Sequence, residues 1–152
     1  MIHLYSGDGK GKTSIAVGMS VRILGAGGRV IFAQFMKGNE SSEVKVLKEL
    51  PQVRVLKVEK EFGFYQNMTE EDKAEITQYH NAILYEIMEC VRNIEKEQMN
   101  PESAGALEQE RKNPELLVVL DEITYPCRWQ LIDEEFFRRL LDELPDCVEL
   151  VM

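Results

Sequence analysis

Ser6-Gly7-Asp8-Gly9-Lys10-Gly11-Lys12-Thr13 gathers glycines, two lysines and a hydroxyl into one short stretch. Glycine backbones let successive amide N–H groups turn toward one anion with no side chains blocking its approach. A lysine closing such a loop reaches the terminal phosphates of a nucleotide, and the hydroxyl after it, here Thr13, is a magnesium ligand. The complementary acidic half is Asp121-Glu122, at the end of the apolar run Leu116–Leu120. There Asp121 is expected to hold magnesium through water, and Glu122 to orient or polarise a group beyond it. The strict pattern asks for glycine where Ser6 stands, but Gly11-Lys12-Thr13 between a strand and a helix keeps the nucleotide reading. The expected nucleotide contacts are Gly7, Asp8, Gly9, Lys10, Gly11, Lys12, Thr13 and Ser14. Lys12, Asp121 and Glu122 form the expected catalytic set, and Thr13 and Asp121 the metal ligands.

Such groups need a scaffold, and the flanking pattern supplies one. Met1–Tyr5 reads as a short strand and Lys12–Leu24 as a helix through Ile15, Met19, Val21 and Ile23. Gly25-Ala26-Gly27-Gly28 ends that helix, and Arg29–Phe35 reads as a buried strand. One βαβ unit is therefore expected over Met1–Phe35, with its two strands paired in parallel. Ser42–Leu50 is a short helix stopped by Pro51, and Val53–Val58 a third strand. Thr69 with Asp72 caps a long helix to about Glu97, whose buried face runs Ile76, Tyr79, Ile83, Ile87, Val91 and Ile94. Gln98–Asn113 has no periodicity and is expected to be a surface linker. Leu116–Leu120 is the central strand, Asp133–Leu144 an amphipathic helix ended by Pro145, and Cys147–Met152 a last strand.

Composition narrows the function classes. The 152 residues, 44% hydrophobic and 30% charged, fit one globular domain and not a disordered chain. The net charge of −9 is uneven: residues 1–60 carry ten Lys/Arg against five Asp/Glu, and the remainder eight against twenty-two. The acidic total disfavours general nucleic-acid binding, while the basic first third suits a small polyanion. Cys90, Cys127 and Cys147 are widely spaced and expected to be free buried thiols, and His3 and His80 are too far apart for a local metal pair. No apolar run approaches the ~18 to 20 residues that span a bilayer, and the opening leaves no room for a leader, so no membrane association and a cytoplasmic address are expected.

The motifs together resemble the corrinoid adenosyltransferases of the P-loop type. The resemblance rests on Ser6–Thr13 with its extra Lys10, on Gln34-Phe35-Met36-Lys37-Gly38, on Gly63-Phe64, and on Leu117-Val118-Val119-Leu120-Asp121-Glu122-Ile123. These occur in the family's order across nearly the whole chain. The resemblance implies an α/β fold, a mainly parallel RecA-like P-loop sheet flanked by helices on both faces. It also implies ATP and magnesium, a corrinoid as second substrate, a homodimer and a reduced flavoprotein as electron donor. In the implied reaction a Co(I) nucleophile attacks the ribose C5′ carbon of ATP and triphosphate leaves. Gln34 and Lys37 would touch nucleotide or corrinoid. Phe64, with Phe62 and Tyr65, would wedge against the corrin's lower face.

Several departures from the family pattern bear on this. The family's Gly-Phe-x-Trp has Gln66 in its last position here, with Tyr65 as the neighbouring aromatic. Ser42 stands in place of a glycine before Glu43. Residues 1–152 are expected to be a single domain that stops short of the family's Thr-Gly-Arg segment. Trp129 is expected to pack under the last helix. Two other readings stay open on the sequence: a P-loop kinase or ATPase in which Glu122 activates attack on the γ-phosphate, and a module that binds nucleotide or corrinoid without turnover.

Overall fold

A computed structural model of the protein describes residues 1–7, 11–36, 41–99 and 115–152, with side chains described as far as 96 in the long helix. Asp8, Gly9, Lys10 and Lys37 lie outside the described residues, as does nearly all of the expected linker Gln98–Asn113. In chain order the elements are β1 (Ile2–His3), α1 (Lys12–Gly25), β2 (Arg29–Gln34), α2 (Ser42–Lys48) and β3 (Val53–Lys57). A single 3-10 turn at Tyr65–Asn67 precedes α3 (Glu70–Met99), and β4 (Leu116–Asp121), α4 (Thr124–Arg128), α5 (Glu134–Asp142) and β5 (Val148–Val151) follow. The strands form one sheet in the order β1-β5-β4-β2-β3, and every neighbouring pair is parallel.

Side-chain alternation along the central strands builds two cores, one on each face. Ile31 and Ala33 of β2, Val118 and Leu120 of β4, and Leu150 of β5 face α3 and α5, where Leu84, Ile87, Met88, Phe136 and Leu140 meet them. Val30, Phe32, Leu117, Val119 and Val151 face α1 and α2, where Ala16, Ile23, Val44 and Leu47 cover them. The result is the parallel α/β sheet of a P-loop domain, with helices on both faces. Each of these buried aliphatic or aromatic side chains contributes roughly 2 kcal/mol of apolar burial. Thr69 and Asp72 form the capping box of α3: the Asp72 amide donates to Thr69 Oγ1 at 3.1 Å, and the Thr69 amide to Asp72 Oδ2 at 3.0 Å. The Asp133 carboxylate caps α5 by accepting from the Phe136 amide at 2.9 Å.

Two expectations about the fold are corrected. β1 and β2 lie parallel in one sheet but do not pair, because β5 and β4 stand between them. Burial explains the order: all six residues of β4 and all four of β5 are buried, whereas Ile2 is 45% exposed and suits the edge. The β1–β5 hydrogen bonding nonetheless runs from Met1 to Tyr5, whose amide donates to the Met152 carbonyl at 2.8 Å. Tyr79, placed on the buried face of α3 by periodicity, is exposed, and His80 is buried in its stead.

Candidate active site

Gly11 sits at the N-cap of α1 with φ +117, a left-handed conformation that an L side chain would enter only under strain. Its carbonyl accepts from the Ile15 amide at 2.8 Å and so opens the helix. The first turn of α1 contains no acidic residue of its own. Both elements flanking the loop are tied to β5. The Glu149 carboxylate, 6% exposed, lies 2.6 Å from His3 Nε2 on β1 and 3.3 Å from the Arg22 guanidinium on α1. Sequence reading had assigned no role to this cluster, since its members are 19 to 146 residues apart; only the sheet order brings them together.

The register of β2 on β4 sets Gln34 beside Asp121. Gln34, 1% exposed, donates its amide to Asp121 Oδ2 at 3.3 Å, and the Thr13 hydroxyl donates to Asp121 at 3.2 Å. The Gln34 side chain is enclosed and holds the Asp121 carboxylate. Glu122 follows with φ +66, an uncommon backbone conformation for a non-glycine residue and one found at functional turns. Lys12 is exposed and its ammonium donates to the Gly7 carbonyl. A cavity of about 320 Å³ opens at this carboxyl edge of the sheet, lined by Gly7, Lys12, Asp121 and Glu122 together with Tyr125 and Arg128 of α4. This is the edge where α/β sheets bind ligands. Ser14 is exposed on the first turn of α1 and is not part of that lining.

The aromatic loop after β3 is arranged differently from the expectation. Gly63 turns the chain with φ +71, and Phe64 follows it at 81% exposure. Tyr65 is not available beside it, because its ring stacks on Trp129 with centroids 4.4 Å apart and planes 6° from parallel. Trp129 thus packs against the loop, with Met68, Ile76 and Leu131, and not under α5. Phe62 turns inward onto Tyr79. Of the three candidate aromatics, Phe64 alone projects.

The remaining reactive side chains are placed for structure. His80 donates its Nδ1–H to the Leu131 carbonyl at 3.0 Å, and burial holds its pKa below the usual imidazole value. The three cysteines are free but half-buried, short of the full burial expected. Burial pushes the Cys127 and Cys147 thiols up, which makes them poor nucleophiles at neutral pH. Among the described residues no three His, Cys, Asp or Glu side chains cluster as a metal site, and no helix is long and apolar enough to cross a membrane. Sequence reading missed α4 entirely. Pro126 within five residues reads as a break, yet proline is tolerated in a first turn, where amide hydrogens have no partner in any case.

No match to this chain was found among curated proteins. A family model described as ATP:corrinoid adenosyltransferase BtuR/CobO/CobP matches residues 1–152. A match over the whole length, on a parallel sheet whose carboxyl edge carries the loop, the paired Thr13 and Asp121 and a projecting Phe64, leaves one conclusion: the chain belongs to the ATP:corrinoid adenosyltransferase family, enzymes that transfer the adenosyl group of ATP to a corrinoid.

Proposed function

We propose that residues 7–14 hold the triphosphate of ATP while Phe64 faces the corrinoid, so that the ribose C5′ carbon is presented to Co(I). The observation that carries this reading is the contact of Thr13 with Asp121, which joins the two halves of the nucleotide motif across 108 residues at the mouth of the cavity. Lys12, with Lys10 as a second ammonium, meets the charge that grows on triphosphate as it leaves; Lys12 exchanges the Gly7 carbonyl for a phosphate oxygen. Thr13 and Asp121 offer a hydroxyl and a carboxylate, hard oxygen donors that fit magnesium, and Gln34 fixes the carboxylate from behind. Magnesium bound there supplies further neutralisation of the leaving group. Glu122 orients groups on the sugar side, and Lys37 contacts nucleotide or corrinoid, as the resemblance implies. No protein nucleophile is needed, because cobalt itself forms the new bond.

Phe64 presents a ring that no neighbour covers, and pressing it on the corrin's lower face would exclude water and the lower ligand from cobalt. Tyr65 serves this wedge indirectly by anchoring the loop to Trp129. The proposal extends to a homodimer and a reduced flavoprotein that delivers the electron, both carried over from the resemblance, and to action in the cytoplasm. Mixing the protein with Mg-ATP and chemically reduced cobalamin under anaerobic conditions tests it. Loss of the Co(I) spectrum with formation of a light-sensitive alkylcobalamin and free triphosphate is the expected result. Release of ADP would place the chemistry at the γ-phosphate and refute the reading.

A further inference from the structure

Helix α4 follows directly on Asp121-Glu122, and it brings a residue to the cavity that neither half of the nucleotide motif contains. Arg128, its last residue, lines the cavity together with Lys12 and Gly7. Other arginines of the protein pair with carboxylates: Arg22 with Glu149, Arg54 with Glu86, Arg92 with Glu143. Among the described residues Arg128 makes no hydrogen bond or ion pair, although Asp121 and Glu122 line the same space. A guanidinium is charged at every physiological pH and presents five donors in a planar fork that matches phosphate oxygens.

The backbone beneath this side chain is held firmly. The Trp129 amide donates to the Tyr125 carbonyl at 2.9 Å, and the Leu131 amide to the Pro126 carbonyl at 2.9 Å. Trp129 is stacked on Tyr65, and Leu131 is buried with its carbonyl against His80. The base of the arginine is thereby fixed while its head stays in solvent, which lowers the ordering cost of gripping a ligand. Without Arg128 the charged side chains of the cavity lining are one ammonium and two carboxylates; the guanidinium balances them.

We propose that Arg128 is a substrate-binding residue whose guanidinium holds phosphate oxygens of the ATP polyphosphate in the cavity it lines together with Gly7 and Lys12. The inference rests on the reading of this cavity as the nucleotide site. Calorimetric binding of inorganic triphosphate with magnesium, alongside KM for ATP and for the corrinoid, tests it in the whole chain. Arg128→Ala is expected to weaken triphosphate binding and raise the ATP KM about tenfold or more, with Arg128→Lys between it and the parent. The corrinoid KM and the thermal midpoint should stay unchanged, and the salt dependence of triphosphate binding should flatten as one charge is removed. Lys12→Ala is the control. If Lys12→Ala loses triphosphate while Arg128→Ala binds it like the parent, or loses only corrinoid affinity, the assignment of Arg128 is wrong and the nucleotide site stands. If both variants bind triphosphate like the parent, the site and the assignment fall together.

Discussion

At the cavity end, a glycine-capped helix start and two strand ends bring Thr13 and Gln34 each onto Asp121. At the aromatic loop, by contrast, the chain from Glu61 to Met68 has only one 3-10 turn of its own, and a side chain 64 residues away, Trp129, gives it a floor. In the proposed site, the charged groups would thus rest on rigid elements, whereas the apolar wedge would be held by stacking. The first arrangement tolerates little change. The second can be altered in steps, and the two ends should respond differently to substitution.

The largest effect is expected at the rigid end. Lys12→Ala removes the ammonium that meets the leaving triphosphate, and the rate should fall about a hundredfold or more, the size seen when one preorganised donor to a developing charge is deleted. Loss should be the same whether the corrinoid is supplied as preformed Co(I) or as Co(II) with a reductant, because the defect lies in the leaving group. A rate within twofold of the parent would contradict the placement of the triphosphate.

Phe64→Ala should be milder and should split by assay. Reaction from Co(II) with a reductant should drop about tenfold more than reaction from preformed Co(I), the worth of roughly one buried aromatic contact. The ring is exposed, so stability should hold. Equal losses in the two assays would remove the wedge role and, with it, the contrast between the two ends.

The same contrast explains what the sequence let one read. The phosphate loop, the capping box at Thr69 and the apolar run before Asp121 are local patterns: their chemistry lies within a few residues and survives without knowledge of the fold. The fold class followed from them, and so did the expectation that Thr13 and Asp121 belong to one site, which the structure brings into contact. What stayed hidden depends on contacts made at long range. The insertion of β5 between β1 and β4 is decided by competition among strands for the buried centre, which no single segment records. The stacking of Tyr65 on Trp129 and the bond of the Gln34 amide to Asp121 both join residues far apart in the chain. Arg128 carries no motif at all.

Trp129→Ala probes that long-range floor. Deleting a half-buried indole and its stacking partner should cost about 2 kcal/mol, lowering the thermal midpoint by roughly 4 to 8 °C for a chain of this size. The Co(II) assay should fall by less than it does in Phe64→Ala, since the wedge is still present but less well held. Retention of both stability and activity would mean that the loop is anchored elsewhere.

The smallest effect should come from pH, through His80. This imidazole lies beneath the aromatic end, 5.4 Å from the Phe35 ring and bonded to the Leu131 carbonyl two residues beyond Trp129. Burial lowers its folded-state pKa below the ordinary imidazole value of about 6.5, so below that pH the unfolded chain binds more protons than the native one. Stability is therefore full above about 6.5 and declines as pH falls from there through the folded pKa, by at most about 1.4 kcal/mol per pH unit for one proton. Carboxylates as a class titrate lower, so thermal midpoints at pH 7.5 and 5.5, compared between the parent and His80→Gln, separate this histidine from His3. The parent should lose more on acidification than His80→Gln, and amide exchange at the lower pH should rise first around Leu131 and Tyr65 while Thr13 and Asp121 stay protected. Parallel pH profiles for the two proteins would show that His80 is not the group responsible, and acid loosening at Thr13 first would reverse the ranking of the two ends.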